Sequence, residues 1–218
     1  MTQPTTNAAQ VTAVLLAAGG GRRLGGRPKA LLPHRGRPLV ENAVRVLREG
    51  GCRTVYVVLG AAADEVRARA DLTGCVLVDN PGWAEGMGSS LRAGLDALAG
   101  ADEAAHCAGG PGGGADGGPR AALVSLVDQP GIGAEAVARV LAAHRSGDSL
   151  VAASYAGRRG HPVLFGAGRW AEIAASATGD RGARAYLKAH ESEITLVECG
   201  DVAEPYDIDT EADLGRLQ

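Results

Sequence analysis

No aspartate or glutamate occurs between Met1 and Val40, in a chain of 218 residues whose net charge is -3 and whose pI is near 6.0. That balance excludes a broadly basic surface of the kind that binds nucleic acid or membranes, so an anionic ligand has to be met locally. Cys-x-x-Cys pairs are missing too. The four cysteines, Cys52, Cys75, Cys107 and Cys199, are dispersed, which signals neither a zinc site nor a disulfide framework and fits buried thiols in a reducing compartment. Met1 to Gln10 lacks the apolar core of a secretory signal, and no apolar run reaches the roughly 20 residues of a membrane span. The expectation is a soluble, cytoplasmic protein with no nucleic-acid or membrane partner.

What is present suits one domain. With 45% hydrophobic residues, a chain of this length buries one substantial core. Short apolar segments at 11–16, 54–59, 75–78, 121–127 and 150–154 alternate with stretches of i, i+3, i+4 apolar spacing at 39–49, 62–70, 89–98 and 134–144. This is the pattern of βαβ units around a mostly parallel sheet covered on both faces. Beyond it the order weakens, with 158–165 read as loop and strand, 181–190 as helix, 194–197 as strand and 211–217 as a last helix. Residues 1–10 read as a flexible N-terminus. Residues 100–119 carry eight glycines between Gly100 and Gly118 and too little to bury. They read as a disordered insertion, with a lid or partner loop as the alternative.

The cations left unopposed near the N-terminus are Arg22, Arg23, Arg27, Lys29, Arg35 and Arg37. They cluster around Leu16-Ala17-Ala18-Gly19-Gly20-Gly21, directly after the first apolar segment. Consecutive glycines let a backbone approach a ligand and turn its N–H groups into an anion-binding concavity, so the run reads as a polyphosphate cradle. A tight turn without ligand would explain the glycines but not the clustered charge. The dinucleotide fingerprint G-x-G-x-x-G fails because Leu24 stands where the third glycine belongs. The P-loop pattern fails because Gly26 is followed by Arg27 and Pro28.

The run resembles the signature of the MobA-like nucleotidyltransferases, L-A-A-G-x-S-x-R-M-G-x-x-K, and matches it at Leu16, Ala17, Ala18, Gly19, Arg23, Gly25 and Lys29. Gly21 replaces the usual serine, Leu24 replaces the usual methionine, and Lys29 comes one residue late, as if Gly26 were inserted. Further blocks follow in the same order. Asn80 to Leu91 resembles N-P-x-W-x-x-G-M-x-x-S-L, Asp128-Gln129-Pro130 resembles D-x-P, and Gly160 to Val163 resembles G-H-P-V. Gly179 to Arg184 resembles G-D-x-G-A-R, and Asp207 to Thr210 resembles D-I-D-T. Together they look most like the molybdenum cofactor cytidylyltransferases (MocA-like). The resemblance implies one domain over 1–218, a Rossmann-like three-layer α/β sandwich with a mostly parallel central sheet, similar to nucleotide-diphospho-sugar transferases. It implies transfer of CMP from CTP to the phosphate of molybdopterin, with release of pyrophosphate and a need for Mg²⁺.

Such chemistry needs a triphosphate held at its α-phosphate, a metal and an aligned nucleophile. A phosphate monoester, with a second pKa of about 6, is already mostly ionised at neutral pH and needs no general base. The sequence offers no convincing Ser-His or Cys-His pair. Asp128 follows the apolar run 121–127, at the carboxyl edge where open α/β sheets bind ligands, and a carboxylate there suits Mg²⁺. Residues 198–213 hold seven acids and no base, and Asp207 and Asp209 alternate so that both face one side. Asp209 is the preferred second ligand.

By resemblance, Leu16 to Gly21 would cradle the nucleotide and Arg23 and Lys29 would stabilise its phosphates. Asn80, Gly86 and Ser90 would contact base and ribose, while His161, Asp180 and Arg184 would face the acceptor. The Ala17-Ala18 pair favours cytidine, since guanylyltransferases of this family usually show Ala-Gly-Gly. Structural alternatives stay open. Asp128 is also placed to cap a turn, Thr210 with Asp213 resembles a capping box, His161 before Pro162 suits a buried turn, and Asp180 could cap a helix. Functional rivals are guanylyl transfer, another phosphate acceptor, or an inactive nucleotide-binding or delivery protein. A molybdoenzyme or its chaperone would receive the product.

Overall fold

The computed structural model describes residues 11–108 and 120–217. The expected flexible N-terminus and residues 109–119 of the glycine-rich segment lie outside the described residues.

Strand β1 (Val11–Leu16) is buried along its whole length, as a continuous apolar strand covered on both faces should be. A glycine loop leads to the short antiparallel pair β2 (Pro33–His34) and β3 (Arg37–Pro38). Helix α1 (Leu39–Glu49) starts directly after Pro38 and buries Leu39, Val40, Val44 and Leu47. Proline at a helix start sacrifices only an N–H that has no intrahelical partner there. There follow β4 (Val55–Leu59), α2 (Ala63–Arg69), β5 (Val76–Asp79) and α3 (Met87–Ala108). Helix α3 buries Leu91, Leu95 and Leu98 and lies close on the sheet because Gly94 has no side chain; a Cβ there would be 2.5 Å from Val14 Cγ1.

The second half comprises β6 (Ala121–Leu126), α4 (Ala134–Ala142), β7 (Leu150–Tyr155) and β8 (Arg158–Gly166). Helix α5 (Trp170–Ser176), helix α6 (Arg184–Ala189) and strand β9 (Thr195–Glu198) complete it. The sheet order is β5-β4-β1-β6-β8-β7-β9, and only β8 runs antiparallel to its neighbours. One core lies between the sheet and α1, α2 and α4, and the other between the sheet and α3, α5 and α6. This is the three-layer α/β arrangement the alternating pattern predicts.

The differences from the sequence reading have local causes. Helix α3 continues past Leu98 to Ala108, carrying the start of the glycine-rich segment with it. The helix expected at 181–190 begins only at Arg184, because Gly182 takes a φ of 51° and separates it from a single turn at Gly179–Arg181. Residues 211–217 form a tighter 3₁₀ coil. Helix α5 and the β2–β3 pair were not anticipated; both are too short for periodicity to register.

Topology fixes where a ligand can bind. The chain leaves β1 toward β4 and β5, then returns through α3 to place β6 on the other side of β1. The crevice beyond the carboxyl ends of β1 and β6 is therefore the switch point at which open α/β sheets bind ligands.

Candidate functional site

The loop leaving β1 is fastened on both sides. Val127 N–H donates to the Leu16 carbonyl at 3.2 Å, Ala17 N–H to Val58 at 3.0 Å, and Ala61 N–H to Ala18 at 3.1 Å. Leu16, Ala17 and Ala18 are buried, and the chain surfaces at Gly19. Among the described residues, the N–H groups of Gly19, Gly20 and Gly21 have no protein acceptor. These unpaired donors are suited to phosphate oxygens.

Of the three glycines Gly21 is sterically required, Gly20 is tightly packed, and Gly19 faces open space. A Cβ on Gly20 would sit 3.1 Å from Ala61 Cβ and 3.2 Å from the Trp83 ring. Gly21 has a φ of 60°, and a Cβ there would fall 1.9 Å from the Arg27 carbonyl oxygen. Its own carbonyl accepts from Leu24 N–H at 2.8 Å and Gly26 N–H at 3.0 Å, while Leu24 is fully buried. In this closed loop a serine at position 21 would collide with the main chain, which accounts for glycine at that place.

Beside the loop, Lys29 Nζ donates to Asp128 Oδ2 at 2.6 Å and also to Asp209 Oδ1, while Arg23 Nη1 stands 3.7 Å from Asp209 Oδ2. Residues separated by 99 and 180 positions in sequence thus meet at one ammonium. Burial pushes the Asp128 carboxyl up, the Lys29 ammonium opposes it, and Asp207 and Asp209 add to the rise; the net is upward. For Lys29 burial acts downward but is outweighed by Asp128 and Asp209, so the ammonium is held above its ordinary value.

Asp209 arrives through the backbone. Ile208, fully buried, donates its N–H to the Asp128 carbonyl at 2.9 Å, so the two flanking aspartates are held beside Asp128. Asp207 Oδ1 is occupied by Gln129 Nε2 at 2.8 Å, which leaves Asp209 as the one that joins Lys29. Asp213 Oδ2 accepts from Thr210 N–H and Oγ1, both at 2.8 Å, so that acid caps the terminal coil as the capping-box pattern predicts. Among the described residues no three His, Cys, Asp or Glu side chains gather as a metal cage. Asp128 and Asp209 nonetheless offer hard oxygens converging on one point, which fits a divalent ion that keeps waters and takes its other ligands from phosphates.

Opposite this cluster, Asn80 is buried and its Nδ2 donates to the hydroxyls of Ser89 at 2.9 Å and Ser90 at 3.0 Å. Ser89 Oγ in turn donates to the Gly82 and Gly86 carbonyls at 2.9 Å. Asn80 and Ser90 therefore brace the 80–90 loop from beneath. Gly86 has a φ of 111° and lets Asp180 close on it; a Cβ there would be 2.4 Å from Asp180 Oδ1. Asp180 and Arg184 are exposed, and His161 lies where Asp207, Arg184 and Arg159 act on its charge. Burial pushes His161 down to about 4, with Asp207 opposing and the two arginines reinforcing the fall. It is a neutral imidazole at neutral pH. The structure thus groups His161, Arg184 and Asp207, and sets Asp180 against the 80–90 loop.

Two contributors were given no role from the sequence, and a third, Arg27, only that of one of the clustered cations. Gln129 fixes Asp207, Trp83 forms the floor under Gly20, and Arg27 links the glycine loop to Glu211 at 3.2 Å. All three lie inside the quoted motifs, and that position was the available signal. A groove of 580 Å³ runs behind the cluster between α1, the start of α4 and residues 200–206; Gln129 lines it, but Lys29, Asp128 and Asp209 do not.

A family model described as a MobA-like NTP transferase domain matches residues 13–194. Nicotine blue oxidoreductase of Paenarthrobacter nicotinovorans is 42% identical over 214 residues, covering 95% of this chain and 96% of that protein. The crystal structure of a Mycobacterium tuberculosis Rv0371c homolog from Mycobacterium sp. strain JC1 is 32% identical, with a TM-score of 0.74 and coverage of 96% and 95% of the two chains. Rv0371c of M. tuberculosis H37Rv, solved in complex with manganese, is 27% identical, with a TM-score of 0.66 and coverage of 95% and 97%.

Proposed function

Because the chain belongs to the MobA-like NTP transferase domain family, a family of nucleotidyltransferases, we propose that it transfers CMP from CTP to the terminal phosphate of molybdopterin, with Mg²⁺ as the metal. The observation that carries this reading is the meeting of Lys29, Asp128 and Asp209 next to a loop whose Gly19 to Gly21 N–H groups have no protein acceptor, at the sheet's switch point. An acceptor phosphate oxygen attacks the α-phosphorus, the bond from that phosphorus to the bridging oxygen breaks, and pyrophosphate leaves with the electron pair.

The glycine loop orients the triphosphate, and Arg23 and Lys29 offset charge gathering on its phosphates as the bond breaks. Asp128 and Asp209 would hold the metal ion, which when bound would neutralise phosphate charge. The 80–90 loop, braced by Asn80 and Ser90, would seat base and ribose. His161, neutral and flanked by Arg159 and Arg184, would bind the acceptor by hydrogen bonds with the arginines meeting its phosphate. A molybdoenzyme or its chaperone would take the product.

The test is pyrophosphate release with Mg²⁺, molybdenum-loaded molybdopterin and CTP, GTP, ATP or UTP in separate reactions. Release with CTP alone is expected. Dependence on GTP would move the protein to guanylyl transfer, and silence with all four would overturn the reading.

The 42% identity to a protein named for an oxidoreductase activity favours a second reading, in which a hydride passes from a reduced dinucleotide in the same crevice to a heteroaromatic acceptor such as nicotine blue. Hydride transfer needs no metal at Asp128. Oxidation of reduced dinucleotide that persists in EDTA and in Asp128→Asn would establish it in place of nucleotidyl transfer.

A further inference from the structure

Four charged side chains pair directly at the switch point and among these the charges cancel, while Asp207, tied to Gln129, adds a third carboxylate close by. Asp128 and Asp209 supply two negative charges, Lys29 and Arg23 two positive ones, and the Lys29 ammonium occupies the point on which both carboxylates converge. A lone divalent cation therefore meets two carboxylates whose charge is offset by Lys29 and Arg23 and whose converging oxygens are already taken. Lys29 and Asp128 have side chains only 15% and 21% exposed, so their attraction is little screened by solvent and is not surrendered cheaply.

We propose that Lys29 is the resident counter-ion of the metal site, a lock that opens only when metal and triphosphate arrive together. Lys29 leaves the carboxylates for the incoming phosphates, which the nearby N–H groups of Gly19 to Gly21 bring within its reach. Asp128 and Asp209 are released to the metal in the same exchange. The inference rests on the nucleotidyl-transfer reading and deepens it. It makes Lys29 a switch between two partners as well as a phosphate ligand, and it makes binding of metal and triphosphate reciprocal, each raising affinity for the other.

Arg23 contributes less. Its side chain is 76% exposed and Nη1 stands 3.7 Å from Asp209, so it adds screened charge without occupying the shared point.

The experiment measures binding of Mn²⁺ alone, by loss of the free-ion signal in electron paramagnetic resonance, to folded wild type, Lys29→Met, Arg23→Gln and the double variant Lys29→Met/Asp128→Asn. Thermal melts verify that each is folded. Lys29→Met is expected to bind Mn²⁺ about tenfold or more tightly than wild type, the effect of removing one nearby positive charge. The double variant should lose that gain, and Arg23→Gln, which keeps the lysine, should gain only about two- to threefold from a screened charge. Equal Mn²⁺ affinity in wild type and Lys29→Met would overturn the lock, as would a gain that survives Asp128→Asn. If Lys29→Met does not fold, the comparison is made with Lys29→Gln, and Mn²⁺ affinity equal to wild type in that variant would overturn it instead. A separate arm adds CTP with Mn²⁺ to wild type. Enhanced Mn²⁺ binding supports the exchange, whereas a gain in Lys29→Met without enhancement by CTP would keep the lysine as counter-ion and remove the nucleotide reading.

Discussion

The backbone N–H of Ile208 donates to the carbonyl of Asp128 at 2.9 Å. The acid-rich segment near the C-terminus is thereby hung on the end of β6 by main chain, not by the Asp128 carboxylate. Asp128→Asn should leave Asp209 and the fold in place while removing a metal-binding charge. We expect turnover to fall by about 10²–10³-fold or more, the scale of losing one group that stabilises transition-state charge, while the protein still melts cooperatively, at a lower temperature because Lys29 loses one of its two carboxylate partners. Pyrophosphate release and a thermal melt on the same sample check both halves; wild-type-like turnover would remove Asp128 from the site.

Gly86 joins the two halves of the crevice. Its φ of 111° and a Cβ position 2.4 Å from Asp180 Oδ1 and 2.6 Å from the Gly179 carbonyl carbon leave no room for a side chain. Gly86→Ala must push residues 179–180 away and adopt a backbone conformation that costs an L-residue roughly 1–3 kcal/mol. The expected result is a lower melting temperature and a higher KM for the acceptor, measured by initial rates at saturating triphosphate. Unchanged acceptor KM would mean that residues 179–184 do not face the acceptor.

His161 sets a pH dependence. Its folded pKa of about 4 lies below the ordinary value of about 6.5. Between these values the unfolded chain binds a proton that the native protein does not, so stability falls as pH drops from about 6.5 toward 4 and is fully present above 6.5. A difference of this size is on the order of 3 kcal/mol. His161→Gln should flatten that part of the curve of unfolding free energy against pH, and an unchanged slope would show that other groups dominate it.

Much of this architecture is legible in the sequence because it rests on local signals. The buried run Val11–Leu16 followed by glycines marks β1 and its loop. Asp128 after 121–127 marks a strand end, and the alternating acids at 207 and 209 in a run without bases mark the second candidate ligand. The convergence on Lys29 is not local: it depends on Ile208 reaching Asp128 across 80 positions, which no spacing rule encodes. Helix α5 was hidden because Trp170 and Ile173 alone give too few turns for a period. Asn80 illustrates the opposite limit, since the motif located the residue while only the packing shows that its amide is spent on Ser89 and Ser90.

Trp83 supplies a direct view of the glycine loop. Its ring lies 3.2 Å from where a Gly20 Cβ would be, and its Cβ lies 2.6 Å from where a Gly60 Cβ would be, so the Gly20 backbone closes on the indole and the Gly60 backbone on the base of the same side chain. The other tryptophan, Trp170, is buried against Phe165 with its Nε1 bonded to that carbonyl at 3.0 Å. In Trp170→Phe the emission should come mainly from Trp83 and change saturably when a triphosphate orders the loop above it, while in Trp83→Phe the change should disappear. Trp83→Ala should cost about 2 kcal/mol of stability, below the range for a fully buried tryptophan. It should raise the triphosphate KM about tenfold or more, because a small displacement of a positioning loop is expensive in catalysis. Fluorescence titration of the two single-tryptophan variants decides the point: a response that survives in Trp83→Phe would place the triphosphate away from the Gly19–Gly21 loop.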